Sequence, residues 1–222
     1  MVMLNSINID DSEIHVWLAD LDTLSAYNLL DGRRFEDILP NEVLLKATHR
    51  RTIEMQSRYI AAQASLRIVI ARYLDTDPAA LTLNYSKKGK PFLAFGTLGF
   101  NLSDSYGLAA VAVANNKKVG VDIEQVRQNI DCMKIARRRF RSEEADNLSA
   151  FTGDRLTREF FRLWVRKEAY LKAIGSGISG GLDCRVDNVE GWTIVNLDIG
   201  DNFAAAVAAD APELVPKLFS LI

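Results

Sequence analysis

Leu108–Ala114 (LAAVAVA) is an unbroken apolar run of small and β-branched residues. It is far shorter than the ~20 residues a membrane-spanning helix needs. Its length is that of a buried strand. Asn115–Lys118 (NNKK) follows as a hairpin-type turn, and Val119–Ile123 as another strand. The middle of the chain is therefore two adjacent buried strands, and the other elements have to cover them.

The flanking segments supply that cover. His15–Leu18 reads as a first strand, and Asp20–Asp31 as a turn with a short helix. Asn41–Leu74 is a long helical region, with Ile60, Ala64, Ile68 and Ala71 on one face and arginines on others. Asp75–Pro78 stops it. Leu81–Tyr85 is a short strand, and Ser86–Pro91 (SKKGKP) a basic turn. Phe92–Phe95 and Gly99–Leu102 are extended, and Ser103–Gly107 is a tight loop. Ile130–Arg139, Ser142–Ser149 and Arg155–Ile174 are helical. A glycine-rich loop, Gly175–Gly181, precedes three strands: Cys184–Val189, Trp192–Leu197 and Asn202–Ala208. Each half runs helix, glycine-containing loop, strands. This predicts an α/β (α+β) fold of two similar subdomains, 1–116 and 117–222. Each is a small antiparallel sheet packed with a long helix.

Composition narrows the function. The 222 residues carry 27 Lys+Arg against 29 Asp+Glu, a net charge of -2. That argues against a bulk nucleic-acid binder. His15 and His49 are the only histidines, too few for a histidine zinc site or triad. Cys132 and Cys184 form no C-x-x-C, which points to a reducing, cytoplasmic setting. The N-terminus, Met1–Asp11, has no basic flank before an apolar stretch, so no export signal is read there.

Two constellations carry chemistry. In Gly120-Val121-Asp122-Ile123-Glu124 the alternation of a strand puts Asp122 and Glu124 on one face. Paired carboxylates repel unless a cation or proton lies between them. Oxygen ligands suit a hard ion such as Mg²⁺. The plainer reading is a solvated strand end. In the second, Trp164, Glu168 and Lys172 share one helical face. Either this is an ordinary surface pair, or Glu168 completes the metal site and Lys172 offers charge to a phosphate. Lys46, Arg50, Arg51, Arg58, Arg67, Lys87, Lys88 and Lys90 are clustered cations. In a near-neutral chain they suit either solubility or a compact anionic ligand.

Read in order, these pieces resemble the 4'-phosphopantetheinyl transferase superfamily, in its larger, Sfp-type branch. The carriers of the resemblance are Gly89-Lys90-Pro91, Phe100-Asn101-Leu102-Ser103, Gly120-Val121-Asp122-Ile123-Glu124 and Trp164-x-x-Lys167-Glu168-Ala169-x-x-Lys172. The glycine-rich loop and Ala204–Ala209 close the pattern. The resemblance implies a pseudo-symmetric fold with coenzyme A in the cleft between subdomains. It implies Mg²⁺ held by Asp122, Glu124 and Glu168 with the pyrophosphate. It also implies transfer of phosphopantetheine to a serine of an apo acyl carrier protein or carrier domain, releasing adenosine 3',5'-bisphosphate. Glu168 is the first candidate for the base and Glu144 the second, with Glu143 an alternative register. Lys172 would stabilise the leaving group. Lys46, Arg51 and Arg58 are candidate contacts of the 3'-phosphate and Lys90 of another phosphate. Pro91, Asn101, Ser103 and Asp104 complete the coenzyme A residues. The basic neighbourhood of Arg137–Arg141 is the expected landing place of an acidic carrier. One chain contains the whole cleft, so a monomer suffices.

One position departs from the family. Asp104 stands where a histidine after Asn-x-Ser is usual. A carboxylate ~4 Å from a phosphate costs about 4 kcal/mol at an effective dielectric near 20. Asp104 either pairs with an arginine, or the phosphate binds differently, or coenzyme A affinity is reduced. The competing functions are a coenzyme A or carrier-binding module without turnover, and a Mg²⁺-dependent phosphohydrolase.

Overall fold

The computed structural model describes residues 7–27, 29–30, 33–177 and 181–221. Strand β1 (Glu13–Asp20) runs into α1 (Leu21–Tyr27). The short pair β2 (Leu29–Leu30) and β3 (Arg33–Arg34) leads to α2 (Phe35–Ile38), α3 (Asn41–Thr48) and α4 (Ile53–Leu74). After a 3-10 turn at Pro78–Ala80 come β4 (Leu83–Tyr85), β5 (Pro91–Leu93), β6 (Leu98–Ser105), β7 (Leu108–Asn115) and β8 (Val119–Gln125). Three helices follow: α5 (Cys132–Arg139), α6 (Ser142–Leu148) and α7 (Gly153–Ile174). Strands β9 (Thr193–Leu197), β10 (Phe203–Ala209) and β11 (Val215–Ser220) end the chain. This is the mixed α/β structure that the patterning predicts, with small, mainly antiparallel sheets packed on helices.

Two sheets matter for the site. One has the order β11-β1-β7-β6 and the other β8-β10-β9. Strand alternation divides their side chains. Trp17, Ala19, Val111 and Val113 pack against α4, whose Ala61–Ala71 stretch is largely buried. Ala204, Ala206 and Ala208 pack against Val165, Ala169 and Ala173 of α7. The remaining faces meet each other through Ile14, Val16, Ala110 and Ala112 against Val119, Val121, Ile123 and Val207. The result is helix, sheet, sheet, helix.

Where the sheets meet edge to edge, side chains replace the ladder. Asn101 Oδ1 accepts from the Val121 N–H at 2.9 Å. Ser103 Oγ accepts from Ile123 N–H at 3.3 Å, and Ser105 Oγ from Gln125 N–H at 3.2 Å. Alternate residues of β6 thus satisfy the edge donors of β8, which would otherwise be buried without partners.

Several expected elements change. Asn41–Leu74 is two helices, because Thr52 adopts extended backbone and its hydroxyl caps α4 at Met55 N–H. Arg67 is not on an exposed face. It is buried and donates to the carbonyls of Pro78 and Leu81. Ser103–Ser105 continue β6, and only Tyr106 and Gly107 turn, both at positive φ. The Asn115–Lys118 turn does not close a hairpin; it hands the chain from one sheet to the other. Cys184–Val189 forms no strand, and β11, absent from the sequence reading, pairs in parallel with β1. The 116/117 boundary falls in the turn between the sheets, while β11 returns to the first sheet. Parts of Met1–Asp11, Asp20–Asp31 and Gly175–Gly181 lie outside the described residues.

Candidate active site

Gly120, Asp122 and Glu124 lie opposite Ala208, Ala206 and Ala204 of β10, on the side covered by α7. Glycine is required there for space. A Cβ at Gly120 would stand 2.1 Å from the Ala169 carbonyl oxygen and 2.4 Å from Ala173 N. The close approach it permits lays Glu168 and Lys172, one turn apart on α7, against the two strand carboxylates.

The contacts are dense and polar. Lys172 Nζ donates to Asp122 Oδ1 at 2.7 Å and to Ser103 Oγ at 2.8 Å. The Ser103 hydroxyl donates to Asp122 Oδ1 at 3.0 Å, and the Ser105 hydroxyl to Glu124 Oε2 at 3.0 Å. Asp122 and Glu168 are both 5% exposed, so their charges need partners. Yet Asp122 Oδ2 and Glu168 Oε1 are buried with no hydrogen-bond partner. Burial, reinforced by the charge of Asp122, pushes the Glu168 carboxyl up to about 7 against the pull of Lys172. Burial also raises Asp122, opposed by Lys172 and Ser103. It raises Glu124 too, with Asp122 adding to the effect.

Three acids that disfavour one another's ionisation, two with an orphaned oxygen, form a hard donor set suited to a divalent cation. Lys172 already occupies Asp122 Oδ1, and among the described residues no three His, Cys, Asp or Glu side chains stand in a finished metal-holding arrangement. Asp122 Oδ2 and Glu168 Oε1 are the atoms open to such an ion.

Other expected site residues sort differently. Glu144 is outside the cluster. It pairs with the fully buried Lys167 at 2.7 Å and accepts from Arg141 N–H at 3.0 Å. Lys167 also donates to the Cys184 carbonyl. In this structure Glu144 is the counter-ion of Lys167 and makes no hydrogen bond to Asp122, Glu124 or Glu168 among the described residues. Glu143 is exposed, 3.9 Å from Arg141. Asn101 serves the seam between the sheets. The Lys90 amine is directed at three carbonyls of β8 and α7, not at a cleft. Burial brings it down to about 8.

Three of the remaining cations, Lys46, Arg50 and Arg58, border two cavities. One of about 390 Å³ is lined by Lys46, Tyr59, Gln63, Tyr85, Pro91 and Asp104, among others. Lys46 Nζ lies 5.3 Å from the Tyr85 ring centre. The second, about 370 Å³, is lined by Arg50, Met55, Arg58, Tyr59, Asp104 and Tyr106 with Gly107. Arg58 is held there by Asp22 at 2.6 and 2.8 Å and by Glu54 at 2.7 Å. Arg51 is exposed and borders neither cavity. Asp104 touches both. Among the described residues it forms no ion pair; although part of its surface is exposed, desolvation raises its carboxyl, opposed by Lys172 and Arg50. Two other cavities, about 410 and 470 Å³, contain none of the expected site residues.

Sequence reading missed Ser105, Arg50 as a cavity wall, and the aromatic walls Tyr59 and Tyr85. The Ser103/Ser105 alternation was a usable signal once the segment is taken as strand. The tyrosines gave none, because only the packing of α4 beside β4 brings them together.

Comparison with known proteins gives the family. Residues 118–209, which include both motifs, match the model of the 4'-phosphopantetheinyl transferase superfamily. The 4'-phosphopantetheinyl transferase HetI of Nostoc sp. (strain PCC 7120) is 30% identical over 224 residues, 93% of this chain and 92% of that one. The 4'-phosphopantetheinyl transferase Sfp of Bacillus subtilis (strain 168) is 28% identical over 154 residues, 69% and 67% of the two chains. The psf-1 enzyme of Bacillus pumilus is 40% identical over 95 residues, 42% and 40%. The chain belongs to the 4'-phosphopantetheinyl transferase superfamily, in its Sfp-type branch, and is an enzyme of that family.

Proposed function

We propose that this enzyme transfers the 4'-phosphopantetheine group of coenzyme A to a serine of an apo acyl or peptidyl carrier protein, with Mg²⁺, releasing adenosine 3',5'-bisphosphate. The observation that carries this is the pair of orphaned oxygens, Asp122 Oδ2 and Glu168 Oε1, beside Lys172. Asp122 and Glu168, with Glu124, would hold the ion. When bound, it supplies charge neutralisation to the pyrophosphate.

The chain's own residues do the rest. The serine oxygen forms a bond to the phosphorus that bears the pantetheine arm. The bond from that phosphorus to the bridging oxygen breaks, and its electron pair leaves with adenosine 3',5'-bisphosphate. Glu168, directly or through a bound water, takes the proton of the serine hydroxyl. Lys172 offers positive charge to the departing phosphate oxygen. Ser103 and Ser105 orient Asp122 and Glu124. Lys46 and Arg50, at the two cavities that share Asp104 and Tyr59, would receive the remaining phosphates and the nucleotide.

The proposal includes two halves, 1–116 and 117–222, sharing one cleft in a monomer. It includes a cytoplasmic setting, which the unpaired Cys132 and Cys184 support. Among the described residues no helix is long and apolar enough to cross a membrane.

Intact-mass analysis of several apo carriers incubated with enzyme, coenzyme A and Mg²⁺ tests the reading. A gain equal to phosphopantetheine on one carrier is expected. No gain on any carrier, with inorganic phosphate released from a generic ester, would favour the phosphohydrolase instead.

A further inference from the structure

Lys90 sits in the basic turn between β4 and β5, and its amine is spent away from both cavities. Nζ donates to the carbonyls of Val119 at 2.9 Å, Lys172 at 2.6 Å and Ala173 at 3.1 Å. An ammonium has three donors, so the set is complete. Two of these acceptors belong to the last turn of α7, where a cation is favoured, and the Lys172 carbonyl also accepts from the Gly175 N–H at 3.3 Å. Lys88 Nζ reaches the Ser176 carbonyl just beyond the same helix end. The turn itself is braced. Ser86 N–H donates to the Lys90 carbonyl at 2.9 Å, Lys90 N–H to Ser86 Oγ at 3.0 Å, and Gly89 takes φ +82. Lys90 therefore grips the backbone of Lys172, whose side chain grips Asp122 and Ser103, and the start of the strand that carries Asp122 and Glu124.

We infer that Lys90 is a positioning residue. It locks the end of α7 to the start of β8 and so fixes Lys172 over Asp122, without touching the substrate. This rests on the proposed transfer reaction. Misplacing a charged group by about 1 Å can cost on the order of 100-fold in rate. Lys90→Met should lower kcat by roughly 10- to 100-fold while the KM for coenzyme A stays within about twofold.

Lys90→Cys treated with 2-bromoethylamine regains an amine of similar reach and should regain most of the lost kcat. Wild type treated identically controls for Cys184, which is half-buried. A raised KM for coenzyme A with kcat retained would make Lys90 a ligand contact and overturn the inference. So would loss that aminoethylation does not restore in a variant with wild-type Tm. A readout independent of turnover keeps the two proposals apart. In protein labelled with ¹⁵N-lysine at pH 6, the ammonium groups of Lys90 and of the fully buried Lys167 should both be protected from solvent exchange, and the Lys90 signal alone should disappear in Lys90→Met. Its absence from wild type overturns the clamp even if transfer is confirmed. Its presence sustains the clamp even if no carrier is modified.

Discussion

Glu168 shows how burial prepares a single side chain. The folded state holds its proton up to about 7, against a reference of 4.5 for a free glutamate. The folded state therefore binds the proton more tightly than the unfolded chain. The stability this contributes is fully present below pH 4.5 and is lost as pH rises through 7. In metal-free protein, Tm should fall across that window, and Glu168→Gln should flatten the fall and abolish transfer. Mg²⁺ should raise the wild-type Tm more at pH 8 than at pH 5, because the ion binds the ionised carboxylates. Thermal melts across pH, with and without Mg²⁺, decide it; an unchanged slope in the variant removes Glu168 as its source. Lys172 makes a second case. If it acts on the leaving group, Lys172→Ala lowers kcat far more than it raises the KM for coenzyme A, and steady-state kinetics separates the two. Both residues were legible from helical spacing, as were Asp122 and Glu124 from strand alternation. The pairing of Glu144 with Lys167 was not legible, because the two stand on different helices, 23 residues apart.

For the elements, the contact between β8 and α7 decides the site. Gly120→Ala would drive a methyl into the Ala169 carbonyl and the Ala173 backbone. Backbone cannot step aside as a flexible side chain can, so the helix has to move. A loss of at least ~1–3 kcal/mol in denaturant unfolding is expected, with transfer reduced further than stability. Helix α5 offers a separate test. Lys134, Arg137, Arg138 and Arg139 are exposed on it, and among the described residues none is in an ion pair. Arg137→Glu with Arg138→Glu should raise the KM for an acidic carrier several-fold and weaken its salt dependence, leaving the KM for coenzyme A unchanged. An unchanged carrier KM moves the landing place elsewhere. At this scale the sequence read well where periodicity was strong, as in α7 and β7. It read poorly at Ser103–Ser105, whose polar side chains look like a loop but serve as hydrogen-bond acceptors for a neighbouring edge.

Across the whole molecule, two sheets are joined by side chains instead of a ladder. Asn101→Ala would leave the Val121 N–H buried without an acceptor, at a cost of about 1–3 kcal/mol. A chemical denaturation series measures it. Amide exchange should show faster exchange at Val121 with β10 pairing intact, and unchanged protection there would deny the seam. Strand β11 lies beyond any local pattern. It adds to β1 from the far end of the chain, with exposed and half-buried residues that carry no strong alternation.

The sequence by itself determined which residues can do chemistry, because strand and helix periods place side chains on a common face whatever the neighbours are. The shared faces of Asp122/Glu124 and Glu168/Lys172 follow from that, while the family rests on the resemblance of the ordered motifs and on the comparison with known proteins. Only the tertiary structure decided which charges stay available. Lys90 is consumed by helix carbonyls, Arg67 by a loop, Arg58 by Asp22 and Glu54, and Glu144 by Lys167, while Asp122 and Glu168 each keep one oxygen without a partner. Pairing between residues far apart in the chain depends on packing, and no local period encodes it.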